Sequence, residues 1–388
     1  MMDAFIVSAR RTPIGRVGGV LRSVRPEQLV VPLIRAILSE TGLDGAAIDD
    51  VILGNVVGPG GNIGRLAALA AGLPIDVPGV TVDRQCGSGL EAINIGAAKI
   101  RAGLADVIIV GGTESCSLEP WKLEKPPSLH QEPPRFIFPH ARFSPVEIGD
   151  PDMGVAAENV AEAFGISREE QDAFALASHQ KAALAIAEGR FKQEIEPVPV
   201  DRGRGQTTIE ADECVHPDMS MAVLRRFPPL FKLQCTVTAG NSCPINDGAA
   251  LVLLASAAAI RRFSLSPMLR FIDCTTSGVD PNLLGIGPVP AVRKLLARCQ
   301  LSVGDIDLFE FNEAFASQVL ASVKALDLPL DRLNVNGGAL ALGHPYGASG
   351  AILVTRLAHE LRSRHQRYGL ATLGIAGGMG IASLFERV

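Results

Sequence analysis

An internal repeat is the feature of this 388-residue chain that most limits its fold. Three blocks of the first half recur in the second half in the same order, with 48–55 echoed by 306–312, 86–89 by 346–350, and 104–112 by 370–378. One echo can arise by chance, but three echoes in order with similar spacing indicate a duplicated unit. The sequence therefore predicts two similar halves that pack against each other.

Apolar strands alternate with helical patterns around these blocks. Residues 105–110 form an almost continuous apolar run that ends at a glycine pair, and residues 27–41 carry apolar side chains at helical spacing. Strands that are apolar throughout are typical of sheets covered on both faces. We therefore predict an α/β fold with a mostly parallel sheet between layers of helices.

Cys86 lies where such a strand is predicted to turn into a helix. A thiol at this place is near the unpaired N–H groups of the first helical turn, which favour the thiolate and lower the pKa of the thiol. Gly87 and Gly89 let the backbone approach closely, so a substrate carbonyl could reach both the sulfur and N–H donors. A small buried cysteine beside a tight turn is the alternative interpretation.

Composition excludes several classes of protein. The net charge is −5 and no basic run is present, which argues against a nucleic-acid partner. The seven cysteines are scattered without CxxC spacing, so neither a zinc site nor a disulfide framework is expected, and a reducing compartment is indicated. The longest apolar run, 249–260, is too short to cross a bilayer. We predict a soluble cytoplasmic protein with no metal and no membrane partner.

Two further residues lie in loops that the repeat could bring towards Cys86. His344 is in a glycine-rich loop before a predicted helix, where it could act as the base for a thiol. Asn312 ends a repeat strand, where an amide could hold a water molecule or an oxyanion; alone, it also suits a turn. Packing of the two halves about a pseudo-twofold axis would let Cys86 and His344 meet.

Taken together, these blocks resemble the thiolase family over nearly the whole chain. The resemblance also includes three segments outside the repeat, 6–15, 165–172 and 377–380. Related condensing enzymes of the ketoacyl-synthase type usually carry histidine at the position of Asn312, so the thiolase branch is favoured. The resemblance implies a five-layered αβαβα fold, with an N-terminal half (1–114 and 242–263), an inserted loop domain (115–241) and a C-terminal half (264–388).

The resemblance also implies a mechanism. Cys86 would attack a coenzyme A (CoA) thioester and become acylated, His344 would take the thiol proton, and Asn312 would hold a water molecule. The backbone N–H groups of Cys86 and Ala376 would form an oxyanion hole. The acyl group would then pass to CoA in thiolysis or to an acetyl-CoA carbanion in condensation. CoA is a substrate here, and no cofactor is implied. Family members are dimers or tetramers, so the resemblance implies a homodimer or homotetramer, and it also implies a role in fatty-acid metabolism.

The chain departs from the family pattern at Gly374. Thiolases normally carry a second cysteine there, which moves the proton of the second substrate, whereas glycine has no side chain to do so. General acid–base help is typically worth about 10²–10⁴ in rate. Either another group, with Cys243 and Asp152 as the candidates, moves this proton, or the protein loads an acyl group on Cys86 and condenses poorly. In the second case it would be thioesterase-like, a carrier, or a subunit that needs a partner.

The resemblance finally implies where CoA and the acyl group are bound. The expected contact residues, some of which depart from the usual family residues, are Asp152, Met153, His216, Ala239, Gly240, Cys243, Ala314 and Phe315. Two proline pairs, 126–127 and 133–134, are expected to shape a loop over the acyl pocket.

Overall fold

The structure, a computed structural model, describes residues 2–126, 128, 130, 135–136, 142–201, 203, 205–232 and 235–388. Most of the loop predicted to cover the acyl pocket, including three of its four prolines, lies outside the described residues.

The described strands are β1 (Ala4–Arg11), β2 (Gly15–Arg16), β3 (Asp50–Gly54), β4 (Gly79–Val82), β5 (Val107–Ser115), β6 (Leu123–Glu124), β7 (Arg135–Phe136), β8 (Val198–Asp201), β9 (Gln206–Ile209), β10 (Asn246–Ser256), β11 (Leu269–Gly278), β12 (Leu308–Phe311), β13 (Tyr368–Ile375) and β14 (Met379–Arg387). The described α-helices are α1 (Pro26–Thr41), α2 (Ile63–Ala71), α3 (Ser88–Arg101), α4 (Met153–Phe164), α5 (Arg168–Ala187), α6 (Met221–Leu224), α7 (Ala257–Phe263), α8 (Pro288–Cys299), α9 (Ala316–Leu326), α10 (Ala339–Leu342) and α11 (Tyr346–Ser363).

Ten strands form one sheet in the order β12–β13–β14–β11–β1–β10–β5–β3–β4, with β2 beside β10. The two halves of the sheet join where Phe5 pairs with Arg270 and Ile6 pairs with Leu269. Strand β3 runs parallel to β4 and β5, and β12 runs parallel to β13, whereas β1, β10, β11 and β14 pair antiparallel. The prediction of a mostly parallel sheet is therefore wrong. Strands that are apolar throughout indicate only that both faces of the sheet are covered. Helices cover both faces here, and this does not depend on the directions of the strands.

Alternate side chains of each strand pack into different cores, and this produces five layers. Helices α3 and α11 pack between the two halves of the sheet, against residues such as Val110 and Leu373. On the outer face of the N-terminal half, α1 and α2 pack on β3, β5 and β10 through residues such as Ile109. On the outer face of the C-terminal half, α8 and α9 pack on β12, β13 and β14 through residues such as Leu370. The order is helices, sheet, helices, sheet, helices.

The predicted repeat has a structural counterpart in each half. Strands β3 and β12, helices α3 and α11, and strands β5 and β13 correspond to the three echoed blocks. The two central helices meet closely, because a Cβ built on Gly89 would lie 2.7 Å from the carbonyl oxygen of Gly347, and one built on Gly54 would lie equally close to it. Glycine at these positions lets the two helix starts approach each other across the repeat axis.

The segment between β5 and β10 carries most of the irregular structure. Helix α5 begins with the predicted capping box, in which Ser167 and Glu170 bond each other's backbone N–H. The predicted limits of an inserted domain at 115–241 remain an interpretation of this segment. No helix in the described part of the chain is long and apolar enough to cross a membrane.

Candidate active site

A tight turn presents Cys86 between β4 and α3. Gln85 adopts a left-handed conformation with φ of 48°, and α3 begins two residues after Cys86, at Ser88. The hydroxyl of Ser88 accepts a hydrogen bond from the N–H of Arg84 at 2.8 Å and donates one to the carbonyl of Gln85 at 2.6 Å. Ser88, the first residue of α3, therefore fixes the turn.

The sulfur of Cys86 meets backbone N–H groups from both halves of the molecule. The N–H of Ala376, which follows β13, and the N–H of Cys86 itself both bond the sulfur and favour the thiolate. Burial outweighs them and raises the pKa of the Cys86 thiol to about 11, with smaller contributions from Glu114 and Asp83. The expectation that the helix start lowers this pKa is therefore wrong, because desolvation of the sulfur is the larger effect.

His344 lies two residues before α11, in a buried loop held from three sides. Gly343 has φ of 111°, and the N–H of His344 donates to Oδ1 of Asn246 at 2.9 Å. Its Nδ1 lies 2.5 Å from the hydroxyl of Ser349, and its ring meets that of Tyr346 edge-on at 5.1 Å. Backbone and ring are both held, so Nε2 points in a defined direction.

The hydrogen bonds of Ser349 determine which nitrogen of His344 carries the proton. The Ser349 hydroxyl donates to the carbonyl of Pro345 at 2.9 Å, so it accepts from Nδ1–H of His344. Nε2 is then unprotonated and able to accept a proton. Burial lowers the pKa of His344 to about 3, which keeps the resting imidazole neutral.

Asn312 follows β12 and lies against the histidine. Its backbone N–H donates to the carbonyl of Thr372 at 3.0 Å, which fixes it beside β13. Its Nδ2 lies 3.3 Å from Nε2 of His344 and donates to that unprotonated nitrogen. The structure therefore brings together Asn312 and His344, as the sequence predicts.

Cys243 is tied to the same region by its backbone. Its N–H donates to the carbonyl of Ala314 at 2.9 Å, while Ser242 pairs with Phe315 and Ile245, two residues after Cys243, pairs with His344. Burial raises the pKa of the Cys243 thiol well above its ordinary value, and the nearby Cys86 raises it further. Of the two candidate proton carriers, Cys243 thus lies in the electrostatic field of the nucleophile.

Gly374 lies on β13 two residues before Ala376. A Cβ built on it would lie 2.8 Å from Nε2 of Gln318 and 3.3 Å from the carbonyl oxygen of Gly285. The space that a side chain would fill at this position is therefore occupied by a glutamine amide from α9.

The remaining predicted contact residues lie on other elements of the inserted segment. Asp152 and Met153 form the start of α4, where Asp152 is exposed and Met153 is half-buried. His216 is exposed, and its ring lies 5.6 Å from that of His179 at an angle of 51°. Ala239 is exposed beside the buried Gly240. Contact of these residues with CoA stays a prediction.

Three residues at the site were not given a role from the sequence. The sequence places Ser349 and Tyr346 only in a repeat block, although a serine five residues after the histidine lies within helical reach of it. Glu114 is fully buried and accepts N–H bonds from Val56, Val57 and Gly347. A lone glutamate at the end of an apolar strand gives no signal for such a role.

Comparisons with known proteins identify the class. The thiolase N-terminal domain family matches residues 4–258, and the thiolase C-terminal domain family matches residues 265–387. The structure of the acetyl-CoA acetyltransferase of Bacillus anthracis superposes with a TM-score of 0.96 at 38% identity, covering 100% of this chain and 99% of that one. The human mitochondrial 3-ketoacyl-CoA thiolase gives 0.92 at 36% identity, with the same coverage. The chain belongs to the thiolase family and has its fold.

Sequence relatives agree with this assignment. The chain is 46% identical to a protein of Staphylococcus epidermidis named "Putative acetyl-CoA C-acetyltransferase VraB", over 100% of this chain and 99% of the relative. A protein of the same name from Staphylococcus aureus is 46% identical, with both chains fully covered. The chain is accordingly an acyltransferase of the thiolase class, for which the predicted family, fold and enzyme type are confirmed.

Proposed function

We propose that this protein transfers acyl groups between CoA thioesters through an acyl-cysteine at Cys86, as a 3-ketoacyl-CoA thiolase or an acetyl-CoA acetyltransferase. The observation that supports this most is the pair of N–H groups, from Cys86 and Ala376, that bond the Cys86 sulfur. An acyl group on that sulfur would place its carbonyl oxygen near the same donors. His344, with Nε2 unprotonated and Asn312 beside it, is the base for the thiol proton.

Proton balance requires a second carrier, and we assign it to Cys243. In thiolysis, the Cys86 sulfur gives its proton to His344 as it attacks C3 of the 3-ketoacyl-CoA, and the C2–C3 bond then breaks. The electron pair on C2 takes the Cys243 proton and releases acetyl-CoA. The Cys243 thiolate then takes the thiol proton of incoming CoA, whose sulfur attacks acyl-Cys86. The departing Cys86 sulfur recovers its proton from His344. Asp152, exposed at the start of α4, is the other candidate.

The deciding experiment is thiolysis of 3-ketoacyl-CoA substrates of short and medium chain length, combined with intact-mass detection of acyl-Cys86. We expect turnover by the natural protein, no acyl adduct and no turnover in Cys86→Ala, and normal turnover in Cys299→Ala, a half-buried cysteine on α8. Absence of both turnover and adduct in the natural protein would refute the proposal.

Gly374 favours one second candidate, a protein that loads acyl groups but is impaired in Claisen chemistry. The same assay separates the two functions, because that protein would show the Cys86 adduct without thiolysis or condensation. A Gly374→Cys variant that alone gains turnover would support this second function.

The same assay tests the proton carrier. Turnover in the natural protein that falls about 10²–10⁴-fold in Cys243→Ala would support Cys243 as the carrier. Asp152→Asn tests the alternative carrier, and Cys235→Ala, in the same loop region, is the matched control.

We also propose a cytoplasmic location and a role in fatty-acid metabolism, with CoA as a substrate. We propose no metal or redox cofactor, since a thiol and an imidazole suffice for acyl transfer.

We further propose a homo-oligomer. Strand β4 is at one end of the sheet, and exposed apolar side chains surround it, namely Leu66, Leu69, Ile75 and Val80. An unpaired strand edge with apolar neighbours suits pairing with a second copy. Analytical ultracentrifugation tests this, with Leu69→Glu expected to shift a dimer or tetramer towards monomer.

A further inference from the structure

The side chain of Gln318 has an unsatisfied amide in the wall of the site. It projects from α9 and is 2% exposed, and its Nε2 has no hydrogen-bond partner among the residues that the structure describes. A buried N–H without a partner typically costs about 1–3 kcal/mol. Such a group in a native fold needs an explanation, and a catalytic role or a bound partner is one of those available.

The direction of Gln318 is defined by two glycines. A Cβ built on Gly285 would lie 2.7 Å from Cβ of Gln318, and one built on Gly374 would lie 2.8 Å from its Nε2. The side chain therefore passes Gly285 and ends against Gly374. Gly374 lies on β13 two residues before Ala376, and two residues of a strand span about 6.7 Å. The amide therefore lies beside the chain segment whose N–H, that of Ala376, bonds the Cys86 sulfur.

The other polar groups of the site leave one reacting atom without a donor. The N–H groups of Cys86 and Ala376 serve the acyl carbonyl, and His344 with Asn312 serves the thiol proton and the second carbonyl. That atom is the sulfur of CoA, which carries negative charge after it has lost its proton and before it attacks acyl-Cys86. It gains this charge again when it leaves in the reverse reaction. An amide N–H cannot take a proton, but it can stabilise a sulfur that has given its proton away.

We propose that Gln318 is a further catalytic residue, whose Nε2–H donates a hydrogen bond to the CoA sulfur during acyl transfer to and from Cys86. This inference rests on the proposed function. The proton of CoA goes to the carrier described above, the new sulfur–carbon bond forms, and the Cys86 sulfur–carbon bond breaks. Gln318 thus takes the place left by the glycine at 374, with a different chemical role.

The test separates transfer to CoA from other reactions of the same acyl-enzyme. Acyl-Cys86 is formed with p-nitrophenyl acetate, which contains no CoA, and is then chased either with CoA or with hydroxylamine. In Gln318→Met, which keeps length and loses the N–H, we expect the CoA chase to slow about 10- to 100-fold and the hydroxylamine chase to change less than twofold.

Ser322 provides the matched control. It lies one turn further along α9, is fully buried, and its Oγ also lacks a partner in the described part of the chain. Ser322→Ala should leave both chases unchanged. If Gln318→Met does not fold, Gln318→Leu carries the same comparison.

Each outcome decides the inference. Equal slowing of both chases, or no slowing of either, would overturn it, because Gln318 would then only fill space beside Gly374. If p-nitrophenyl acetate does not load Cys86, acetyl-CoA replaces it as the acyl donor, and free CoA is removed before the chase. If neither donor forms acyl-Cys86 and thiolysis is absent, the proposed function itself fails, and this inference falls with it. Selective loss of the CoA chase supports both.

Discussion

The two strand-to-helix corners of the repeat serve different chemistry from equivalent places. Cys86 lies two residues before α3, and His344 lies two residues before α11. The N-terminal corner presents a thiol with a raised pKa, and the C-terminal corner presents an imidazole with a lowered one. Burial disfavours the charged form at both corners, so the resting pair is neutral and the proton moves only when substrate is attacked.

Each corner is completed by residues of the other half. The N–H of Ala376, from the C-terminal half, bonds the Cys86 sulfur, while Asn246, from β10 of the N-terminal half, holds the backbone of His344. Glu114 on β5 likewise accepts the N–H of Gly347 at the start of α11. The repeat therefore provides two similar strand-to-helix corners, and contacts across the repeat axis join them into one site.

The largest expected effect comes from removing the base at the C-terminal corner. His344→Asn should lower kcat of thiolysis about 10²–10⁴-fold, because no other group accepts the Cys86 proton in the proposed mechanism. Steady-state kinetics measure this. His359→Asn, on the same helix with its Nε2 at 3.0 Å from the carbonyl of Ala9, is the control. Comparable losses in both variants would mean that packing of α11 is the cause.

Because Cys86 and His344 are both neutral at rest, we predict that the reactivity of the Cys86 thiol depends on pH. With a pKa of about 11 for Cys86, the thiolate fraction rises tenfold per pH unit below that value. Alkylation of Cys86 by iodoacetamide should therefore increase about 100-fold between pH 7 and pH 9, without levelling. Mass spectrometry follows the rate, with N-acetylcysteine as the reference. A plateau near neutral pH would show a thiolate–imidazolium pair instead.

The contacts between the two halves can be weakened at Glu114. Glu114→Gln places an NH₂ group among donors, since the carboxylate oxygens accept from Val56, Val57, Gly347 and Nδ2 of Asn55. We expect a loss of about 1–3 kcal/mol in the free energy of unfolding, measured with urea. Glu119→Gln, an exposed neighbour, should have little effect. Equal stability of the two variants would show that this contact does not hold the halves together.

The smallest effect is expected from the hydroxyl that orients the histidine. Ser349→Ala removes the acceptor of Nδ1–H and should lower kcat about tenfold with KM unchanged. Ser317→Ala, another buried serine that donates to a backbone carbonyl, is the control. A change confined to KM would mean that Ser349 affects binding and not the tautomer of His344.

Much of the site could be predicted from the sequence because its residues lie in short, ordered motifs. Cys86, Asn312 and His344 are flanked by glycines and strand endings that mark corners, and the repeat relates two of these corners. Nothing in the sequence marks Gln318, because glutamine is common in helices. The space that its side chain occupies is formed by Gly285 and Gly374, which are far from each other in the chain. The sequence predicts the wrong direction for the pKa shift of Cys86, since burial of the sulfur cannot be derived from its neighbours along the chain.

The sequence by itself determined the two halves, the covered sheet and the corners that carry the thiol, the amide and the imidazole. Periodicity, glycine positions and the order of the blocks are local properties, and they can be read without coordinates. Tertiary structure decided the strand directions, the neutral state of Cys86 and His344, the position of Cys243 near Cys86, and the contact of Gln318 with Gly374. These depend on distances between residues far apart in the chain, and desolvation and hydrogen bonding follow those distances.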